Sequence, residues 1–393
     1  MIVINSPEIT AQDEFTVISS LIEIDGKEER LWYKFPQKFQ QFLVTENLDA
    51  FLVGILVLGL KTGNNIKLES PVSARLYYTL NHYLIPALCL ANPKFQKINI
   101  FAEVLNESDL NFGKLAGTGL SCGVDSFATY YDHLTEKGSY RIQFFTFLNA
   151  GSHGDLGGEN PRMVYQKKLL QIKKFGKEEN LEVISIDTNL SEILNINFQS
   201  THTLRNFSCI LNLQKLFKNY YYASPNRFDE FSLNSIDSGD YDLLNVSMLS
   251  TESINFFSSA ANLTRTERTN LITNYSQTYK YLDVCTNSSI QNNWGNCSEC
   301  EKCLRTELTL ELLGKLHLYD KVFNIKKYYK NKNRFIGKVL ATKEENVFNK
   351  DLWNLLKEKN QIHFIHYIEC ISFKFKSHKK EFKKFIKKKS KRC

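Results

Sequence analysis

The sequence predicts an α/β protein: a doubly wound parallel sheet, preceded by an α+β segment and closed by a knuckle of cysteines. Three observations carry that prediction. From Lys114 to Phe217, strand-like and helix-like stretches alternate, which is the pattern of successive βαβ crossovers. At the first join, a turn of small residues links a strand to a helix: Gly119-Leu120-Ser121-Cys122-Gly123-Val124-Asp125-Ser126. Between residues 285 and 303 four cysteines gather.

The elements follow in order. Residues 1–112 form an N-terminal α+β accessory domain. In it Arg30–Phe35 reads as a strand, Leu48–Leu60 as a buried helix and Asn65–Leu68 as a short strand. Ala74–Leu90 reads as a second helix and Ile98–Val104 as a strand. Residues 113–320 form the sheet domain. Leu115–Leu120 is its first strand and Asp125–Leu134 the helix after it. Arg141–Leu148 is a continuous apolar run, as a strand buried on both faces should be. A glycine-rich loop, Gly151–Gly158, follows. Asn160 is expected to cap the next helix, with Pro161 in its first turn and Gly176 at its end. Glu182–Asp187 is a strand and Leu204–Phe217 an apolar helix. Residues 321–393 form a C-terminal extension, with a helical stretch at Asp351–Lys357 and a basic tail.

Composition narrows the class. Hydrophobic residues make up 42% and charged residues 23% of the 393, an ordinary globular balance. The longest apolar run, Ala50–Leu60, is too short to cross a bilayer. The N-terminus carries no basic-then-apolar signal, so a cytoplasmic location is expected. The net charge is +8, but residues 371–393 hold eleven Lys/Arg and one Glu. The tail is therefore +10 and the rest near −2. Such a tail suits a nucleic acid or an anionic surface, and a solvated, disordered tail is the alternative.

The turn at 119–126 exposes backbone N–H groups at a helix start, and Ser121 and Ser126 add hydroxyls. That combination binds phosphate. A Walker loop is excluded, because Gly-Lys-Ser/Thr is absent. A dinucleotide fingerprint is excluded by the spacing of Gly117, Gly119 and Gly123. A turn without a ligand is the plain alternative.

Cys285, Cys297, Cys300 and Cys303 give two tight x2 spacings and one distant partner. The set suits a closed, structural Zn²⁺ site. Disulfides and an iron–sulfur cluster are the alternatives. The other five cysteines, at 89, 122, 209, 370 and 393, are scattered.

The turn resembles the Ser-Gly-Gly-x-Asp-Ser signature of PP-loop ATP pyrophosphatases, with Cys122 in place of the first Gly. The cysteine set resembles the zinc site of the 7-cyano-7-deazaguanine synthases within that superfamily, though its first gap is longer. The resemblance covers about residues 113–315. It implies an adenine nucleotide alpha hydrolase-like fold that splits ATP to AMP and pyrophosphate. A carboxylate or amide would be activated for attack by a nitrogen nucleophile. The cofactors implied are ATP, Mg²⁺ and Zn²⁺.

ATP would rest on Ser121, Cys122, Gly123, Val124, Asp125 and Ser126, with Asn149, Asn206 and Arg265 as further contacts. Asp125, Ser126 and Arg205 are the catalytic candidates, Asp125 as the carboxylate near Mg²⁺. Arg205-Asn206 is similar to an Arg-Asn pair of the deazaguanine synthases; a surface Arg and a cap is the other reading. Arg265 and Arg268 share a basic segment, from which Arg265 is chosen. Asp242 is a candidate for Mg²⁺ or substrate, or a simple turn residue. The glycines of 151–158 make that loop a candidate lid, and His153 and His202 are weaker candidates. The partners expected are ATP, an acceptor of unassigned chemistry and, through the tail, a nucleic acid or anionic surface. A homo-oligomer is left open. Two other functions stay open: a tRNA sulfur transferase and a non-catalytic nucleotide-binding module.

Overall fold

A computed structural model describes residues 1–287 and 295–389, with side chains through 377. Part of the expected knuckle, residues 288–294, and the last four residues lie outside the described residues. The chain divides into two compact units. One is 1–121 with 125–262, the other 122–124 with 263–393.

The first unit is built on one large sheet. Its strands in chain order are β1 (Ile2–Ile4), β2 (Glu8–Gln12), β3 (Phe15–Ile24), β4 (Lys27–Pro36), β5 (Ile66–Leu68) and β7 (Ile100–Ala102). They continue as β9 (Leu115–Gly119), β10 (Ile142–Asn149), β11 (Glu182–Thr188), β12 (Phe217–Ala223) and β13 (Asn255–Ser259). Short β6 (Val72–Ser73) and β8 (Leu105–Asn106) pair separately. The spatial order is β13-β12-β9-β10-β11-β4-β3-β1-β5-β7, with β2 on β3.

From β13 to β11 every pairing is parallel. The order reverses at β9, because β10 and β11 lie to one side of it and β12 and β13 to the other. That order is compatible with a doubly wound arrangement. Alternation along β12 identifies the two faces. Tyr221 packs against His133 after the helix Val124–Asp132, with ring centroids 4.0 Å apart. Tyr222 packs against Phe207 of the helix His202–Leu211, at 5.0 Å. Those helices therefore cover opposite faces.

Strand β9 is thin by design of its residues. A Cβ at Gly117 would approach the Phe217 ring to 2.5 Å. Above Gly119 the hydroxyls of Thr146 and Tyr220 meet at 2.6 Å, bridging the two neighbouring strands. Small residues here let the aromatic side chains of β12 close over the strand.

The sheet does not stop at the boundary expected near residue 112. β4 pairs antiparallel with β11, Tyr33 against Thr188 and Lys34 against Asp187. This pairing covers an edge that β11 would otherwise expose. The buried helix Asp49–Thr62 packs with the helix His202–Leu211 in one continuous core.

Other expectations are corrected in detail. Ala74–Leu90 is helical, but Leu80–Leu84 is a π-turn between α-helical segments. The helix Glu159–Glu178 is capped at Gly158, not Asn160, and runs past Gly176. Gly176 is needed for close approach instead: a Cβ there would lie 2.7 Å from the Leu181 carbonyl oxygen. The expected helix to Phe217 ends at Leu211, and Phe217 opens β12. A run of buried aromatics carries no alternation to mark it as a strand. The tail is helical, Phe364–Lys389.

In the second unit the helices Arg265–Ile272, Glu301–Leu312, Ile325–Thr342 and Val347–Glu358 pack together. Asp351 accepts from the Thr266 backbone N–H and hydroxyl, both at 2.8 Å. The Arg305 guanidinium lies 4.4 Å from the Phe348 ring centre.

Candidate functional site

The glycine–serine turn leaves β9 at its carboxyl end, where the strand order reverses. Open parallel sheets bind ligands at such a point. The helix Val124–Asp132 begins there with Asp125 in its first turn. The Ser126 hydroxyl lies 3.3 Å from the Ser121 backbone nitrogen and 3.2 Å from the Ser121 hydroxyl. Ser121 is exposed, Gly123 and Asp125 are half-buried, and Val124 and Ser126 are buried. The turn thus brings two serine hydroxyls together at a helix start and contains no lysine.

Cys122 has φ +58°. Only glycine adopts that left-handed backbone without cost; a side chain there costs about 1–2 kcal/mol. The thiol is buried, at 1% exposure. The Cys122 carbonyl accepts from the Asp283 N–H at 2.8 Å.

Arg205 does not present its guanidinium as a phosphate ligand. It is 1% exposed and donates to the carbonyls of Ala150, Asp155 and Ile196 at 3.4, 3.2 and 2.6 Å. It also donates to the hydroxyls of Thr201 and Ser191, at 2.8 and 3.0 Å. Burial lowers its pKa to about 10. These bonds correct the catalytic expectation: Arg205 is a positioning residue for the loop after β10.

That loop is pinned rather than poised as a lid. Besides Arg205, the Glu192 carboxylate accepts from the Gly158 N–H at 3.0 Å, and Asn197 donates to Asp155 at 3.0 Å. Gly151, at φ +118°, sits so close that a Cβ would lie 2.7 Å from Arg205 Nη1. His153 packs edge-on to Phe147 and Tyr165, at 5.3 and 5.6 Å. Its pKa is lowered to about 4, chiefly by burial and then by Lys168.

Two polar groupings at the strand ends were not expected from the sequence. Asn149, at the end of β10, donates to Asp187 at 2.7 Å. Asp187 is the penultimate residue of the neighbouring β11 and pairs with Arg162, which also pairs with Glu192 at 2.7 Å. Burial raises the Asp187 pKa, against the lowering by Asn149 and Arg162. The second grouping centres on His202. Its Nδ1 is 2.8 Å from the Tyr222 hydroxyl and its Nε2 2.9 Å from Asp237. Only the strand-end position of Asp187 offered a signal; the His202 partners are far apart in sequence.

Arg265 is half-buried at the first position of its helix, and Arg268 is fully buried. Asp242 is 3% exposed at a helix start, not a solvated turn residue. A groove of about 390 Å³ beside Tyr221 and Phe257, rimmed by Asp132 and Glu136, contains none of the expected residues.

In the second unit the four expected cysteines come together. Their sulfurs all lie within 4.8 Å of one another. Zn–S bonds of about 2.3 Å in a tetrahedron require sulfur separations of about 3.8 Å, and Cys297 and Cys303 are 3.8 Å apart. A disulfide would require about 2 Å. Cys297 Sγ accepts the Cys300 N–H at 3.1 Å, and Cys285 Sγ the Asn287 N–H at 3.4 Å. Hydrogen bonds from Cys285 and Cys303 hold the Cys300 thiol well below its ordinary pKa. The group fits a metal ion such as zinc.

Asn296 braces the knuckle, accepting from the Val284 N–H at 2.9 Å and donating to the Leu282 and Val322 carbonyls. One turn beyond Cys303, the buried Glu307 carboxyl is pushed up to about 8 by burial. No protein family, curated protein or solved structure matches this chain.

Proposed function

We propose that the chain is an ATP-splitting, adenylating enzyme of the PP-loop type. The observation that carries this reading is the turn at 119–126. It lies at the carboxyl end of β9, where the strand order reverses, with two facing serine hydroxyls and a helix start. Its donors suit a leaving pyrophosphate, and it lacks the Walker lysine that serves γ-phosphate transfer.

In this reading Ser121, Ser126 and the N–H groups of Cys122 to Asp125 hold the phosphates. Asp125 is the carboxylate beside Mg²⁺. An oxygen of the acceptor attacks the α-phosphorus; the new O–P bond forms as the bond to pyrophosphate breaks. A nitrogen nucleophile then displaces AMP and loses its proton. The resemblance to 7-cyano-7-deazaguanine synthases favours a carboxylate or amide acceptor. Zn²⁺ in the cysteine group has a structural role, since four thiolates leave no open position. Sulfur transfer fits less well. Cys122 and Cys209 are both buried, and burial holds the Cys209 thiol far above its ordinary pKa.

The test is chromatography of the nucleotide products formed from Mg-ATP with each of a panel of carboxylate and amide acceptors and a nitrogen donor. AMP and pyrophosphate are expected, without ADP. Asp125→Ala should cut the rate at least about a hundredfold, and Ser121→Ala should weaken ATP binding. ADP and phosphate as coupled products would refute adenylation. Tight ATP binding without cleavage would leave a binding module.

A further inference from the structure

The helix Phe364–Lys389 meets the helix Ile325–Thr342 with one face only. On that face His366 is buried and its Nε2 lies 3.3 Å from Asn333 Oδ1. Glu369 and Cys370 press on Gly337, where a Cβ would come within 2.4 Å of Glu369. The opposite face is apolar and open: Phe364 is 80% exposed, Ile368 48%, Ile371 57% and Phe375 74%. These residues recur every three or four positions and so form one line along the helix. In the sequence Phe382, Phe385 and Ile386 resume the spacing after His378 and Lys379 interrupt it. The sequence has eight lysines between 374 and 388 and one acid, Glu381.

We infer that this helix lies flat on an anionic lipid bilayer, with the Phe364–Ile368–Ile371–Phe375 line in the acyl boundary and the lysines at the headgroups. The exposed aliphatic residues select among the partners that a basic tail attracts. A nucleic acid would engage the lysines and leave Ile368 and Ile371 in water. A second copy of the helix would bring lysines against lysines with almost no acid between them. An anionic membrane surface satisfies both faces at once. No described helix is long and apolar enough to cross a membrane, so the contact is at the surface. The inference does not depend on the proposed enzymatic activity.

The experiment is co-sedimentation of the full chain with vesicles of phosphatidylcholine mixed with phosphatidylserine, against phosphatidylcholine alone. Binding to the mixed vesicles is expected, weakening about tenfold or more on the neutral ones. The double substitution Ile368→Asp/Ile371→Asp should lower binding to mixed vesicles about tenfold or more, with affinity for single-stranded RNA unchanged. If the double variant melts early, Phe375→Asp alone gives the same reading at a fully open position. Equal binding to both vesicles, or binding to neither, overturns the inference. So does a variant that binds mixed vesicles as well as the parent, or one whose only change is from dimer to monomer.

Discussion

Two buried polar centres in this chain balance charge in opposite ways. Around Arg205 the cation is part of the protein and its partners are neutral: three carbonyls and two hydroxyls take its donors. Around Cys297 and Cys303 the potential anions belong to the protein, and the cation that would join them does not. Ionised together, four thiolates within 4.8 Å repel strongly at low dielectric. The first centre is complete as folded and fixes a loop. The second is a group that could hold a metal ion such as zinc. A buried charge is therefore no guide to a binding site until its partners are counted.

The largest expected effect lies at the cysteine centre. Wild-type protein should carry about one Zn²⁺ per chain, measured by elemental analysis of freshly purified material. Cys300→Ser, or a chelator, should remove the metal and destabilise the second unit by several kcal/mol, roughly the scale set by structural zinc. The melting temperature should fall accordingly. Protein without zinc would break the comparison, and iron with visible absorbance would replace zinc by a cluster.

At the other centre, Arg205→Ala should cost about 3–5 kcal/mol in urea denaturation, because several buried acceptors lose their donor. Arg205→Lys keeps the charge but not the planar fork of donors, and should cost about half as much. If Arg205→Lys leaves stability untouched and only weakens ATP binding, Arg205 is a phosphate ligand and not a clamp.

The smallest effect is at Cys122, whose backbone is strained but whose thiol is buried. Cys122→Gly relieves about 1 kcal/mol of left-handed strain and forfeits a comparable amount of packing. Stability should therefore change by less than about 1 kcal/mol, and AMP formation should persist. Loss of AMP formation with intact ATP binding would make the thiol a participant and revive sulfur transfer.

The legibility of each region follows from how far apart its parts lie in the chain. The turn at 119–126 and three of the four cysteines are contiguous, so their spacing in sequence already constrains their spacing in space. Arg205 can be noticed but not interpreted from sequence, since its acceptors lie between residues 150 and 201 and the short helix Leu190–Leu194 that carries Ser191 shows no local signal. The His202–Tyr222–Asp237 chain is not legible, because its members lie far apart in sequence and the expected helix overruns the start of β12 at Phe217. The boundary at 112 failed to show the continuous sheet, because nothing local in Tyr33-Lys34 or Asp187-Thr188 announces that they pair.

By itself the sequence determined the alternation of strands and helices after Lys114, the glycine–serine turn and the cysteine group. Period, turn chemistry and ligand spacing are properties of neighbouring residues. Only the tertiary structure decided that the N-terminal strands extend the same sheet, that Arg205 is consumed by backbone carbonyls, and that the apolar line of the last helix faces outward. Each of those depends on which distant backbone or side chain fills the remaining hydrogen-bonding and packing positions. A residue's own chemistry leaves that choice open.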